Sequence, residues 1–218
     1  MLIGTWNLTG RWSMDHARAI EDADCDIWLL TDVPARASVS GYHQHLSAGR
    51  RAPSAHWSGS LSRVAAEPVR HSSPTATVLS IADIVIVSTV LPWPEPHEDE
   101  PWEGNSHAER YAAALTETGA LLRGHIPICG GTWNQPLLGN IIGYSRQAQE
   151  SLETFTAAHN LQVPTRDLLG RQRQYTTDHV AVPASWTVID SGKVEVDSAL
   201  SPYDLFCVEA TPTAPPVA

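Results

Sequence analysis

Ala199-Leu200-Ser201-Pro202-Tyr203-Asp204-Leu205-Phe206-Cys207-Val208-Glu209 ends the folded part of the chain as an apolar strand entered through a kink. Pro202 has no amide hydrogen to give to a ladder, so it belongs at the start or edge of a strand. The strand itself is expected over residues 203–210. Three further runs with strand character precede it, over 176–183, 187–189 and 193–196.

Working back to the beginning, a first strand over residues 2–8 ends at Asn7. A short helix capped by Ser13 or Asp15 follows, to about Ala23. Asp26-Ile27-Trp28-Leu29-Leu30-Thr31-Asp32 is a continuous apolar run of a length that suits a strand covered on both faces. More strands are expected over 42–46, 56–62, 77–80, 84–91 and 126–129, with Gly, Pro and Ser between them. Ser106-His107-Ala108-Glu109 has the spacing of a capping box and predicts a helix to about Arg123. Another helix is expected from Ser145 to His159-Asn160, where Asn suits a left-handed terminal position. Residues 92–102 form an acidic loop rich in Pro and Trp. The pattern predicts an α/β chain: a layered sandwich of two mostly antiparallel sheets flanked by helices. One domain is expected over residues 1–210, with a Pro-rich tail over 211–218.

The formal net charge is −10, with one lysine, Lys193, and thirteen arginines scattered along the chain. Proteins that grip nucleic acid neutralise several phosphates and carry a basic footprint. The composition therefore argues against a nucleic-acid partner. No apolar run approaches the roughly 20 residues of a membrane span, and the chain enters strand-like sequence at Leu2, which leaves no leader expected. Cys25, Cys129 and Cys207 are widely spaced beside apolar runs and read as buried free thiols, which suits a reducing cytoplasm.

Several segments resemble, in order and spacing, the endonuclease/exonuclease/phosphatase superfamily. Thr5-Trp6-Asn7 is similar to its opening strand, whose Asn positions a metal or phosphate. Leu29-Leu30-Thr31-Asp32-Val33 is similar to the second strand, which ends in the Glu that holds magnesium. Gly131-Thr132-Trp133-Asn134 resembles Gly-Asp-x-Asn, where the Asp activates water and the Asn contacts phosphate. Thr177-Asp178-His179-Val180 resembles the strand whose Asp orients the catalytic histidine. Ser201-Pro202-Tyr203-Asp204 stands where the family has Ser-Asp-His.

The departures decide what the resemblance implies. The family's Glu is Asp32, shorter by about 1.5 Å, one carbon–carbon bond. Its water-activating Asp is Thr132, its terminal Asp-His is Pro202-Tyr203, and a histidine of the central strand aligns near Val90. Magnesium asks for near-octahedral oxygen ligation with one or two carboxylates. General acid–base catalysis contributes roughly 10²–10⁴-fold. Losing base, acid and most of the metal site implies phosphodiester hydrolysis near background.

The expected site is therefore a repurposed cleft that takes a small organic molecule in specialised bacterial metabolism, without metal or other cofactor. Asp178 and Tyr203 are the candidate acid–base pair, in hydrogen-bond contact, with Asn7 and Asn134 lining the cleft. Asp32, Thr132, Trp93, Trp102 and Trp133 are the candidate ligand contacts. Core packing is the first explanation for Trp6, Trp28, Trp57 and Trp133, whereas Trp93 and Trp102 lie in the irregular acidic loop. Two alternatives stay open: a non-catalytic binding or scaffolding protein, and a residual metal-dependent phosphoesterase or nuclease using Asp32 and Asp178. No histidine spacing suggests a metal site.

Overall fold

Successive side chains of a strand point to opposite faces, and this period of two builds the layers. The computed structural model describes residues 1–95, 100–139, 144–171 and 173–213. β1 (Leu2–Asn7) and β2 (Ile27–Pro34) run parallel at the centre of one sheet, joined by helix α1 (Met14–Ala23). Outside β2 lie β3 (His43–Leu46), β4 (Arg50–Ala52) and β5 (Ala55–Ser62), both of the first two pairing with β5.

The second sheet contains β6 (Glu67–Pro68), β7 (Ala76–Ile81) and β8 (Ile84–Val90). Helix α2 (His107–Leu122) then crosses to β9 (Ile126–Thr132), again parallel to its predecessor. Helix α3 (Arg146–Ala158) leads to β10 (Leu161–Gln162) and β11 (Asp178–Pro183). The chain returns to the first sheet as β12 (Trp186–Val194) and β13 (Leu205–Pro212). The two orders are β12-β13-β1-β2-β5-β3, with β4 on β5, and β10-β11-β9-β8-β7-β6. Among the described residues every strand pair except β1–β2 and β8–β9 is antiparallel, as expected of a layered α/β sandwich.

β8 shows how the sequence assigns layers. Val85 and Val87 face the helices, in a core with Tyr111, Leu115, Leu152 and Phe155. Ile84 and Ile86 face the other sheet, in a core with Ile3, Ile27, Leu29, Ile128 and Val180. A third core lies under α1, around Trp6, Ile20, Trp28 and Leu30.

The helix starts follow their caps. Ser106 Oγ accepts from the Glu109 amide at 3.2 Å, and Ser145 Oγ from the Ala148 amide at 3.2 Å. The Glu109 carboxylate bonds the Asn105 amide rather than that of Ser106, so the expected reciprocal box is only half formed. Asn160 takes the left-handed conformation (φ 51°) that its terminal place predicts.

Two expectations are corrected. The runs 187–189 and 193–196 are one strand, β12, bulged between Val188 and Asp190, because β13 is long enough to pair with both. β13 extends to Pro212, past the boundary expected at 210, by pairing with the start of β12. The short edge strands β4, β6 and β10 went unpredicted because two or three residues carry no periodic signal. Residues 96–99, including His97, and the tail from 214 lie outside the described residues.

Candidate functional site

Toward one end of the strands the inner face changes character. Along β1 the inward residues are Ile3, Thr5 and Asn7; along β2 they are Ile27, Leu29 and Thr31. Ser88 of β8 is buried and donates across the sheets to the Leu30 carbonyl at 2.9 Å. β9 ends in Thr132, which stands opposite Asp178 in the β9–β11 register. Gly131 lets the chain reach this point: its φ is +116°, and a side chain there would strike the Thr89 carbonyl.

Thr132 is the hub. Its hydroxyl donates to Asp178 Oδ1 at 2.6 Å and accepts from Asn7 Nδ2 at 3.1 Å and from the Thr31 hydroxyl at 2.6 Å. One donor and two acceptors exhaust a hydroxyl. All four residues are buried. Burial pushes the Asp178 carboxyl up to about 7. The Thr132 bond opposes that rise, and the nearby Asp204 and Asp32 charges add to it.

Asp32 sits in β2 with φ 51°, a left-handed conformation inside a strand and a local strain. Burial raises its carboxyl above the usual range, against the opposing pull of Arg51 and a hydrogen bond from Asn7. Arg51, from the edge strand β4, forms an ion pair with Asp32 through Nη1. Its guanidinium lies 5.2 Å from the Trp93 ring centre and 6.0 Å from that of Trp57. Trp57, Trp93 and Trp102 form a mutual cluster with ring centres 5.2–5.9 Å apart.

The final strand is pinned at its entrance. Ser201 Oγ donates to the Asn7 carbonyl at 2.7 Å and accepts from the Tyr203 amide at 3.1 Å. Arg171 clamps the turn: its amide and Nε bond Asp204, Nη1 bonds the Ser201 carbonyl, and Nη2 the Val196 carbonyl. Next to this turn opens a cavity of 160 Å³, lined by Tyr144, Gln174, Thr177, Asp178, Tyr203 and Phe206 among others. Burial raises the Tyr203 and Tyr144 hydroxyls above the ordinary phenol range, and the Asp178 charge raises them further.

Asn7, Asp32, Thr132 and Asp178 therefore converge as the sequence suggests, and Tyr203 shares a cavity with Asp178. Among the described residues Asp178 and Tyr203 do not hydrogen-bond as expected, because Asp178 is held by Thr132 instead. Asn134 is a left-handed turn residue (φ 52°) whose amide donates to the Leu91 carbonyl at 2.7 Å. Trp133 is buried against Phe155 and His179 on the helix side of the sheet, because alternation turns it away from Thr132. As a ligand contact it is corrected to core. Trp93 and Trp102 pack on Trp57, and Trp93 and Trp57 flank the Arg51 guanidinium, which stays partly exposed.

Arg51, Thr31, Tyr144 and Arg171 were not singled out. Thr31 is legible in the sequence, since it shares an inward face with Ile27 and Leu29; Arg51 carries no local signal.

An endonuclease/exonuclease/phosphatase from Beutenbergia cavernae superposes with a TM-score of 0.69 at 12% identity, over 100% of this chain and 73% of that one. The chain has the endonuclease/exonuclease/phosphatase fold. The endonuclease domain of TRAS1, a telomere-specific non-LTR retrotransposon, matches with a TM-score of 0.61 at 15% identity, over 95% of this chain and 96% of that one. A 3′ phosphatase from Neisseria, solved with a product DNA hairpin, matches with a TM-score of 0.65 at 14% identity, over 96% and 98%. No family model matches the chain, and no curated protein does.

The magnesium that this fold implies does not fit the residues present. Asp32 is committed to Arg51, Asp178 accepts the Thr132 hydroxyl, and position 132 offers a saturated hydroxyl in place of a carboxylate. Among the described residues no three His, Cys, Asp or Glu side chains converge as a ligand set. No helix among them is long and apolar enough to cross a membrane.

Proposed function

We propose that this endonuclease/exonuclease/phosphatase-fold chain has given up metal-assisted phosphodiester hydrolysis and binds or transforms a small organic molecule beside Asp178 and Tyr203. The observation that carries this reading is the contrast inside one site. The polar groups at Asn7, Thr31 and Thr132 are spent on one another, while Asp178 also borders an open cavity. Its 160 Å³ is near the roughly 150 Å³ known to house a benzene, so one small ring with a polar substituent suits it. A carboxyl that titrates near neutrality suits proton transfer, with Tyr203 as hydrogen-bond donor. The acidic charge of the chain supports a small-molecule partner over nucleic acid, and the free cysteines support a reducing cytoplasmic setting.

The test uses phenol and manganese ions as probes. Phenol is expected to shift the amide resonances of Tyr144, Asp178 and Tyr203, while manganese produces no specific broadening. Bis(p-nitrophenyl) phosphate is expected to stay intact. Manganese-stimulated cleavage that disappears in Asp178→Asn would overturn the reading in favour of a residual phosphoesterase. The internal saturation of Thr132 also favours a non-catalytic binding protein. Turnover separates the two: an enzyme converts its bound molecule and loses that conversion in Asp178→Asn and Tyr203→Phe, whereas a binder leaves the molecule unchanged in the parent chain as well.

A further inference from the structure

Cys25 and Cys207 are 182 residues apart in the chain, yet their Sγ atoms lie 3.3 Å apart. Cys25 ends the turn between α1 and β2, and Cys207 lies in β13. Both are free thiols. We propose that Cys25 and Cys207 form a reversible redox modification site, closed to a disulfide by small disulfide oxidants such as glutathione disulfide.

The surroundings give the two sulfurs different parts. Cys25 is fully buried and shares a hydrogen bond with Cys207, while Cys207 is partly exposed. The shared bond and burial hold the Cys25 thiol far above the ordinary thiol range, and the charges of Asp26 and Asp24 act the same way. Cys207 is therefore the sulfur that meets the oxidant. The β12 residue opposite it is Gly192, and nothing stands within 4 Å of where a side chain there would begin. That opening gives a small oxidant its approach.

The steps balance as ordinary thiol–disulfide exchange. The Cys207 thiolate attacks one sulfur of glutathione disulfide, forms a mixed disulfide and releases one glutathione thiolate. The Cys25 thiol then attacks the Cys207 sulfur as its proton passes to the departing sulfur, releasing the second glutathione as a thiol. Two protein thiols are oxidised and one disulfide is reduced to two thiols. Cys129, fully buried in the helix-side core with its thiol pushed up to about 12 by burial, takes no part.

The experiment exposes the full chain to glutathione disulfide, quenches with acid, alkylates free thiols in denaturant and maps the peptides by mass. The expected result is a peptide pair joined through Cys25 and Cys207, with Cys129 alkylated and the dithiol restored by dithiothreitol. Cys25→Ser is expected to stop at a glutathione adduct on Cys207, whereas Cys129→Ser closes the bridge as the parent does. Three alkylatable thiols after exposure, or a stable glutathione adduct in the parent chain, would overturn the proposal. The mapping of the parent needs no variant to fold, and it reads independently of the ligand proposed for the cleft.

Discussion

The two ends of the layer between the sheets are made by the same strands and resist change for opposite reasons. At one end Ile3, Ile27, Ile86, Ile128 and Val180 pack without a polar atom among their side chains. At the other, Asn7, Thr31, Thr132 and Asp178 are as buried, and every bond is directional. The apolar end is held by area removed from water and by close contact, so its energy is spread over many atoms. The polar end is held by matching donors to acceptors, so removing one atom strands several others. Burial alone therefore does not reveal a site; burial of groups that need partners does.

Deleting side chain at the apolar end should have the largest effect. Ile128→Ala is expected to cost about 2–5 kcal/mol, read by urea unfolding, and independently of pH. A cost that followed pH would blur the distinction between the ends. The polar end should show its character through titration. The Asp178 carboxyl is raised to about 7 in the folded chain, against about 3.9 for an unfolded Asp. The folded state thus holds its proton longer than the unfolded state. The contribution is fully present below the unfolded value and is lost as pH rises through about 7.

Asp178→Asn removes that slope. Relative to the parent, the variant should gain stability between acidic and mildly alkaline pH, by up to roughly 4 kcal/mol. Parallel unfolding curves for the two proteins across this range would show that Asp178 titrates normally. Thr132→Val should have the smallest effect, about 1–3 kcal/mol, because the shape is kept while three partners lose their bond. It should also move the Asp178 midpoint upward, since the Thr132 bond is what holds that carboxyl down. A chemical-shift titration of the carboxyl carbon reads this directly.

Much of this was legible in the sequence. The short apolar runs at 26–32 and 84–91 announce buried strands, and Ser106, Ser145 and Asn160 mark helix ends, because run length and capping are local. Strand alternation puts Asn7, Thr31 and Thr132 at the inward ends of their strands. It also sends Trp133 to the opposite face from Thr132, into the helix-side core and away from the cleft. The left-handed Asn134 is likewise legible as a turn residue.

Other features have no local trace. Arg51 reaches Asp32 only because β4 folds onto β5 beside β2. Cys25 meets Cys207 only because the last strand pairs with the first. The Thr132 hydroxyl donates to Asp178 because two antiparallel strands bring those residues opposite one another. By itself the sequence determined the layers, the helix boundaries and the side-chain chemistry present at positions 132, 202 and 203, since each is written in residue type and spacing. Tertiary structure alone decided which polar groups satisfy each other and which still face an open cavity, because hydrogen bonds and ion pairs depend on ångström distances between segments far apart in the chain.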